Sequence, residues 1–109
     1  MSERIYWLVK NPKTKLHNEV GLSDVWTDMK NSKRDELHKA TFPIELPLTI
    51  IKCFKDAEII LDPYMGIGTT AKAVIKYNKE CNDNKKYIGF DISKQYCDRA
   101  ESDILKISC

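Results

Sequence analysis

The sequence predicts an α/β fold with parallel strands, and three observations predict it. Two short apolar segments, Glu58-Ile59-Ile60-Leu61-Asp62 and Tyr87-Ile88-Gly89-Phe90-Asp91, each end on an acidic residue. The stretches around and between them carry apolar residues at helical spacing. A glycine-containing loop joins the first of these strands to the helix that follows, the arrangement of a βαβ unit. Residues 41–107 thus read helix–strand–helix–strand–helix. A parallel pair joined through a helix implies a right-handed crossover.

The elements follow in order. Ile5-Tyr6-Trp7-Leu8-Val9, between Arg4 and Lys10, is rich in β-formers and predicts a mostly buried strand. Asn11-Pro12 ends it. Residues 11–41 are polar apart from Val25-Trp26, and predict a long surface connection anchored by Trp26. A connection of about 30 residues is unusual in a compact domain, so it is either functional or covered by something outside this chain. Leu46, Ile50, Ile51 and Phe54 recur at helical spacing, so residues 45–55 predict a helix with Pro47 in its first turn. The run from Glu58 to Asp62 is apolar between its acids, the pattern of a parallel strand buried on both faces. Beyond the loop 63–68 a second helix runs through Thr70, Ala71, Ala73, Val74 and Tyr77. Cys81 to Lys86 form a turn-rich link to the second strand. A last helix spans 94–106, with Tyr96, Ala100, Ile104 and Ile107 on one side. Trp7 and Trp26 read as packing anchors rather than base-stacking groups.

Composition narrows the function classes. A chain of 109 residues is one domain or part of one. Eighteen basic against 16 acidic residues leave a formal charge of +2, which excludes a polybasic nucleic-acid tail and an acidic disordered tail. Lys30, Lys33 and Arg34 read as a solvated face. No apolar run approaches the ~18 residues of a membrane span, and the first ten residues lack the apolar core of a signal peptide. The expected location is cytoplasmic, with no membrane partner. Cys53, Cys81, Cys97 and Cys109 stand at spacings of 28, 16 and 12 residues, with no C-x-x-C pair. Neither His17 nor His38 joins a cysteine at ligand spacing. The expectation is reduced thiols and no metal site.

The loop Asp62-Pro63-Tyr64-Met65-Gly66-Ile67-Gly68-Thr69-Thr70 lies where open α/β sheets bind ligands, at the carboxyl end of a strand. Gly66 and Gly68 permit a sharp turn and close approach of a ligand. Thr69 or Thr70 could cap the helix. The third glycine of the dinucleotide fingerprint is absent, as is the Gly-Lys-Ser/Thr of a P-loop. Asp91 follows Asp62 by 29 residues, where nucleotide-binding units place an acid that accepts ribose hydroxyls. The two acids either serve an adenosyl ligand or cap helices.

Three segments carry a resemblance. Asp62 to Thr70 resembles the D-P-F-x-G-S-G-T-T loop of S-adenosylmethionine-dependent amino-methyltransferases that act on DNA. Tyr87-Ile88-Gly89-Phe90-Asp91-Ile92, followed by Tyr96, is similar to that family's F-I-G-I-D-I strand and its downstream tyrosine. His38-Lys39-Ala40-Thr41-Phe42-Pro43 with Leu46-Pro47 resembles the H-P-A-x-F-P-x-x-L-P segment upstream of the loop. The three occur in the family's order and cover about residues 38–107, with weaker likeness at Ile5–Lys10 and Asp24-Val25-Trp26.

The resemblance implies a partial Rossmann-like methyltransferase sheet, incomplete without a partner or an N-terminal half. It divides the chain into 1–37, a strand plus a polar connection, and 38–109, an S-adenosylmethionine-binding βαβ unit. It also implies a site. Asp91 would hold the ribose and Ile92 would pack on the adenine. Gly66 and Gly68 would border the methionine part, with Asp62 near its ammonium group. Thr41 and Phe42 would lie against the methionine end, while Pro63, Tyr64 and Thr69 complete the cofactor loop. Tyr64 is either cofactor wall or core. Lys39 stands where the family usually has proline and Ile67 where it has serine, so polar contacts are not carried over at those positions.

The family's catalytic signature, [D/N/S]-P-P-[Y/F/W], activates the amino group and stacks on a flipped-out base. This chain has no Pro-Pro dipeptide, so it offers no catalytic residue. Asp62-Pro63-Tyr64 sits in the cofactor-loop context instead. In one circularly permuted class of the family the signature lies N-terminal and the cofactor loop comes last. This sequence, beginning with its own methionine, looks like that C-terminal part alone. The catalytic half is then on a second polypeptide, or lost. DNA would be met through the complete enzyme. The rival readings are a non-catalytic remnant and a nucleotide-binding regulatory module.

Two strands without neighbours leave apolar edges and are marginal in water. The polypeptide alone is therefore expected to be poorly soluble or self-associated, and stabilised by a partner chain. Ultracentrifugation with calorimetry checks this: a monodisperse, cooperatively melting monomer would overturn it.

Overall fold

The computed structural model describes residues 5–14 and 42–108. Trp26, Thr41 and most of the long polar connection lie outside the described residues. Five elements follow one another: α1 (Glu45–Lys52), β1 (Ile59–Asp62), α2 (Thr69–Cys81), β2 (Lys86–Gly89) and α3 (Lys94–Ser108). β1 and β2 form a parallel pair in the register Ile59↔Lys86 to Asp62↔Gly89, with α2 between them in the chain.

Local chemistry explains the boundaries. α1 opens with Glu45 and closes with Lys52, each complementing the helix dipole at its end. Pro47 sits in the first turn, where its missing N–H has no intrahelical partner to lose. α2 starts behind Gly68, whose left-handed backbone (φ 86°) makes it the N-cap without a side-chain hydrogen bond. Thr69 and Thr70 are helical residues, not the cap expected from their hydroxyls. At the other end Asn82 is left-handed (φ 51°), a conformation asparagine tolerates better than most residues. Ser93, just before α3, accepts a hydrogen bond on Oγ from the Tyr96 amide at 3.3 Å.

The core lies on one side of the sheet. Leu48 and Ile51 of α1 meet Ala73, Val74 and Tyr77 of α2, and Ile44, Ile60 and Tyr87 pack against this cluster. α3 packs on α2. Its inward positions include fully buried Ala100, with Tyr96, Ile104 and Ile107 half-buried, the face expected from their spacing. Two expectations are corrected. The strands are covered on one face only: Ile59, Leu61, Ile88 and Phe90 point away from the helices and are 45–61% exposed. Apolar composition suits burial on both faces, but the described residues supply a layer to one. Ile5 to Val9 likewise form no strand and are exposed. β-forming residues need a partner edge to become a ladder, and neither β1 nor β2 pairs with this segment. Trp7 does act as a packing group, edge-on to Phe54 at 6.0 Å.

The two ends of the sheet differ. At the amino ends of the strands Lys85 is buried. Its ammonium donates to the carbonyls of Phe54, Lys55 and Ala57, pairs with Asp83 at 3.5 Å, and lies 5.1 Å from the Tyr77 ring centre. The Asn78 side chain brackets the Lys85 backbone, accepting from its amide at 3.0 Å and donating to its carbonyl at 2.9 Å. These bonds satisfy a buried charge that would otherwise be costly. The carboxyl ends carry the glycine loop.

Helices α2 and α3 are clamped by charge. Asp103 accepts from Lys72 at 2.9 Å and from Arg99 at 3.0 Å. Burial pushes the Asp103 carboxyl up, but Lys72 and Arg99 outweigh it and hold the group below the usual carboxylate range. A depressed carboxylate stabilises the fold above its unfolded pKa of about 4, and that contribution disappears as pH falls through the folded value. Asp103→Asn should therefore lower stability at pH 7 by about 1–2 kcal/mol. The gap to wild type should close below about pH 4. Denaturant unfolding of both proteins across pH checks this.

Candidate functional site

The site forms where β1 and β2 end side by side. Register places Asp62 opposite Gly89, and the Phe90 amide continues the ladder to the Asp62 carbonyl at 2.9 Å. The chain leaving β1 then folds back: the Met65 amide donates to the Phe90 carbonyl at 2.8 Å, and the Gly68 amide to Met65 at 3.0 Å. This tight path needs left-handed backbone at Gly66 (φ 56°) and Gly68 (φ 86°). Gly68 has a second reason to be glycine. A Cβ there would stand 3.0 Å from the Ala100 Cβ, so the smallest residues meet where the loop crosses α3.

The fold-back delivers the Gly66 amide to Asp91. Its N–H donates to Asp91 Oδ2 at 2.9 Å, while the Ser93 amide donates to Oδ1 at 2.8 Å. The Cys97 thiol donates to the Asp91 carbonyl at 3.5 Å. Both carboxylate oxygens are thereby fixed by backbone donors, and each keeps lone-pair capacity for a further donor such as a hydroxyl. Asp62 is held differently. Its Oδ1 accepts from the Tyr64 amide at 3.1 Å, an Asx turn, and its Oδ2 from the Tyr87 hydroxyl at 3.2 Å. Burial, followed by the Asp62 charge and this hydrogen bond, pushes the Tyr87 phenol well above its ordinary value, so it stays a donor.

The expected site residues fall into three groups. Gly66, Gly68 and Asp91 come together directly, and Thr69 opens α2 beside them. Asp62 and Phe42 line a separate apolar groove of about 710 Å³, with Trp7, Leu46, Ile50 and Thr70 among its walls. Pro63, Tyr64 and Ile92 are exposed, Tyr64 at 88% and Ile92 completely, so Tyr64 is not core. Thr41 lies outside the described residues. Four residues that matter here were not singled out from sequence: Met65, Tyr87, Gly89 and Ser93. Gly89 carried a signal, because glycine inside a strand marks close approach of another group. Ser93 carried one too, as a serine just before a helix, whereas Met65 and Tyr87 act through contacts distant in the chain that no local pattern encodes.

The arrangement provides two fixed carboxylates at adjacent strand ends, one beside a fully exposed isoleucine and one beside an apolar groove. Such a pair suits a ligand with hydroxyls at one end and a cation at the other. Among the described residues no group of three or more His, Cys, Asp or Glu could hold a metal, and no helix is long and apolar enough to cross a membrane.

Comparison with known proteins gives this geometry its class. The profile of the DNA methylase family matches residues 1–102, and the chain belongs to that family. It is 35% identical over 100 residues to the orphan methyltransferase M.BamHII of Bacillus amyloliquefaciens, covering 84% of this chain and 36% of that protein. It is 32% identical over 85 residues to the type II methyltransferase M.MjaI of Methanocaldococcus jannaschii, covering 74% of this chain and 26% of the relative. Against the type II methyltransferase M.BglII of Bacillus subtilis the identity is 32% over 81 residues, 71% of this chain and 21% of the relative. The matched region thus spans about a third or less of the length of these relatives. No solved structure matches the chain.

Gly68→Ala should cost about 1–3 kcal/mol, from left-handed backbone and the contact with Ala100 together. Denaturant unfolding measures it, and a neutral effect would show that the loop and α3 are looser than their contact implies.

Proposed function

We propose that this chain is the cofactor-binding part of a DNA amino-methyltransferase, acting on an exocyclic amino group of adenine or cytosine. The observation that carries the proposal is the closure of the glycine loop on Asp91, with the Gly66 amide on one carboxylate oxygen and the Ser93 amide on the other. S-Adenosylmethionine, when bound, supplies an electrophilic methyl group, leaving S-adenosylhomocysteine after transfer to the amine.

The residues present fit that cofactor. The free lone pairs of Asp91 suit two ribose hydroxyls. Ile92, fully exposed beside it, offers an apolar surface for the adenine. The Asp62 carboxylate suits an ammonium group, and the groove it shares with Phe42 suits the methionine end. Thr41, next to Phe42, belongs to the same end by sequence. Gly66 keeps the loop free of a side chain where the cofactor would approach, while Gly68 lets the loop close against Ala100 of α3.

The chain holds the cofactor and orients it. Base activation requires a Pro-Pro-aromatic signature, which is absent from this sequence. A second polypeptide, or a segment beyond this one, supplies it together with recognition of the DNA. Such a partner would also cover the apolar sheet face formed by Ile59, Leu61, Ile88 and Phe90. The setting is intracellular, where the relatives' type II methyltransferase chemistry meets DNA.

Asp91→Ala should weaken S-adenosylmethionine binding by about 1.5–3 kcal/mol, through loss of charge-assisted hydrogen bonds. Isothermal titration calorimetry checks it, and unchanged affinity would reassign Asp91 to a purely structural latch for the loop. Methyl transfer to DNA should appear when the chain is combined with one carrying the Pro-Pro-aromatic signature.

A further inference from the structure

We infer that Tyr87 is a positioning residue for the cationic end of the bound cofactor, its hydroxyl orienting the Asp62 carboxylate from across Gly89. The inference rests on the reading of the site proposed above.

Three features converge on it. Asp62 and Gly89 are partners in the parallel register, and Tyr87 lies two residues before Gly89, on the same sheet face. The Tyr87 ring packs against the core cluster. From there it turns along β2, over Gly89, and its hydroxyl reaches Asp62 Oδ2 at 3.2 Å. Gly89 makes the path. A Cβ at that position would stand 2.5 Å from the Tyr87 hydroxyl and 2.7 Å from its ring edge. Unlike Gly66 and Gly68, Gly89 is not in the left-handed region, so space rather than backbone freedom requires glycine there.

The hydroxyl does something the ring does not. Phenylalanine would fill the same core volume, but it would leave Asp62 with the Tyr64 amide alone. A carboxylate held by one donor at its edge turns about its χ2 axis. Held at both oxygens, it presents its remaining lone pairs in one direction. Fixing an acceptor before binding removes an ordering cost that a mobile one would meet on association. Burial and the neighbouring carboxylate keep the phenol protonated, so the orientation does not switch across the physiological range.

The test separates the two ends of the ligand. Calorimetry on the full chain would use S-adenosylmethionine, S-adenosylhomocysteine and 5′-methylthioadenosine; the last keeps the adenosyl thioether but has no amino-acid end. Tyr87→Phe should weaken the first two by about fivefold and leave the third unchanged. In an Asp62→Asn background the same substitution should cause no further loss, because the two groups act as a unit. Equal weakening of all three ligands would make Tyr87 merely structural and overturn the inference. So would no weakening at all. Failure of the wild-type chain to bind any of the three would overturn the reading of the site, and this inference with it.

Discussion

The contact between the Gly66 amide and the Asp91 carboxylate is the constraint on which the rest of the site depends. The loop after β1 must reverse within a few residues to bring that amide to the end of β2. Left-handed backbone at Gly66 and Gly68 allows the reversal. The reversal in turn sets the start of α2 and presses Gly68 against Ala100 of α3. Because Asp91 also takes the Ser93 amide at the entrance to α3, one carboxylate joins the loop and the last helix. A charged acceptor with two backbone donors is stronger than neutral pairs of the same geometry. The strand ends, the loop and α3 are therefore fixed relative to each other before any ligand arrives.

A second constraint is the one-sided core. α1 and α2 cover the face that carries Ile60 and Tyr87, while Ile59, Leu61, Ile88 and Phe90 face outward. Strands of this composition normally lie under layers on both sides, and an exposed apolar patch of this kind commonly marks an interaction surface. The matched region spans about a third or less of each relative in the DNA methylase comparisons. An α/β sheet is a layered structure, and the uncovered face and the short span both support the proposal that further residues complete it.

Much of the fold was legible. Helical periodicity marked α1, α2 and α3 to within a few residues, and apolar runs ending on Asp62 and Asp91 marked β1 and β2. These signals are local, so they survive without knowledge of neighbours. Ile5 to Val9 had the composition of a strand but forms none, because composition states compatibility with a ladder and not the presence of a partner edge. The threonines after Gly68 looked like caps, yet the loop geometry gave that position to glycine. In the site, Asp62, Asp91, Gly66 and Gly68 were named from their place in the motif. Tyr87 and Gly89 were quoted as part of a strand, but their joint role could not be seen there.

The sequence by itself determined the elements, the family motifs in their order, and the two acids at the strand ends. Each is encoded within a window of a few residues, by side-chain period, turn chemistry or a short motif. Only the tertiary structure decided which sheet face is covered and what each carboxylate is bonded to. Gly66 meets Asp91, and Tyr87 meets Asp62, across 25 residues of chain; Lys72 meets Asp103 across 31. Contacts at that separation are set by strand register and helix packing. Those depend on the whole core at once, which is why a pattern can name the participants and leave their partners to the fold.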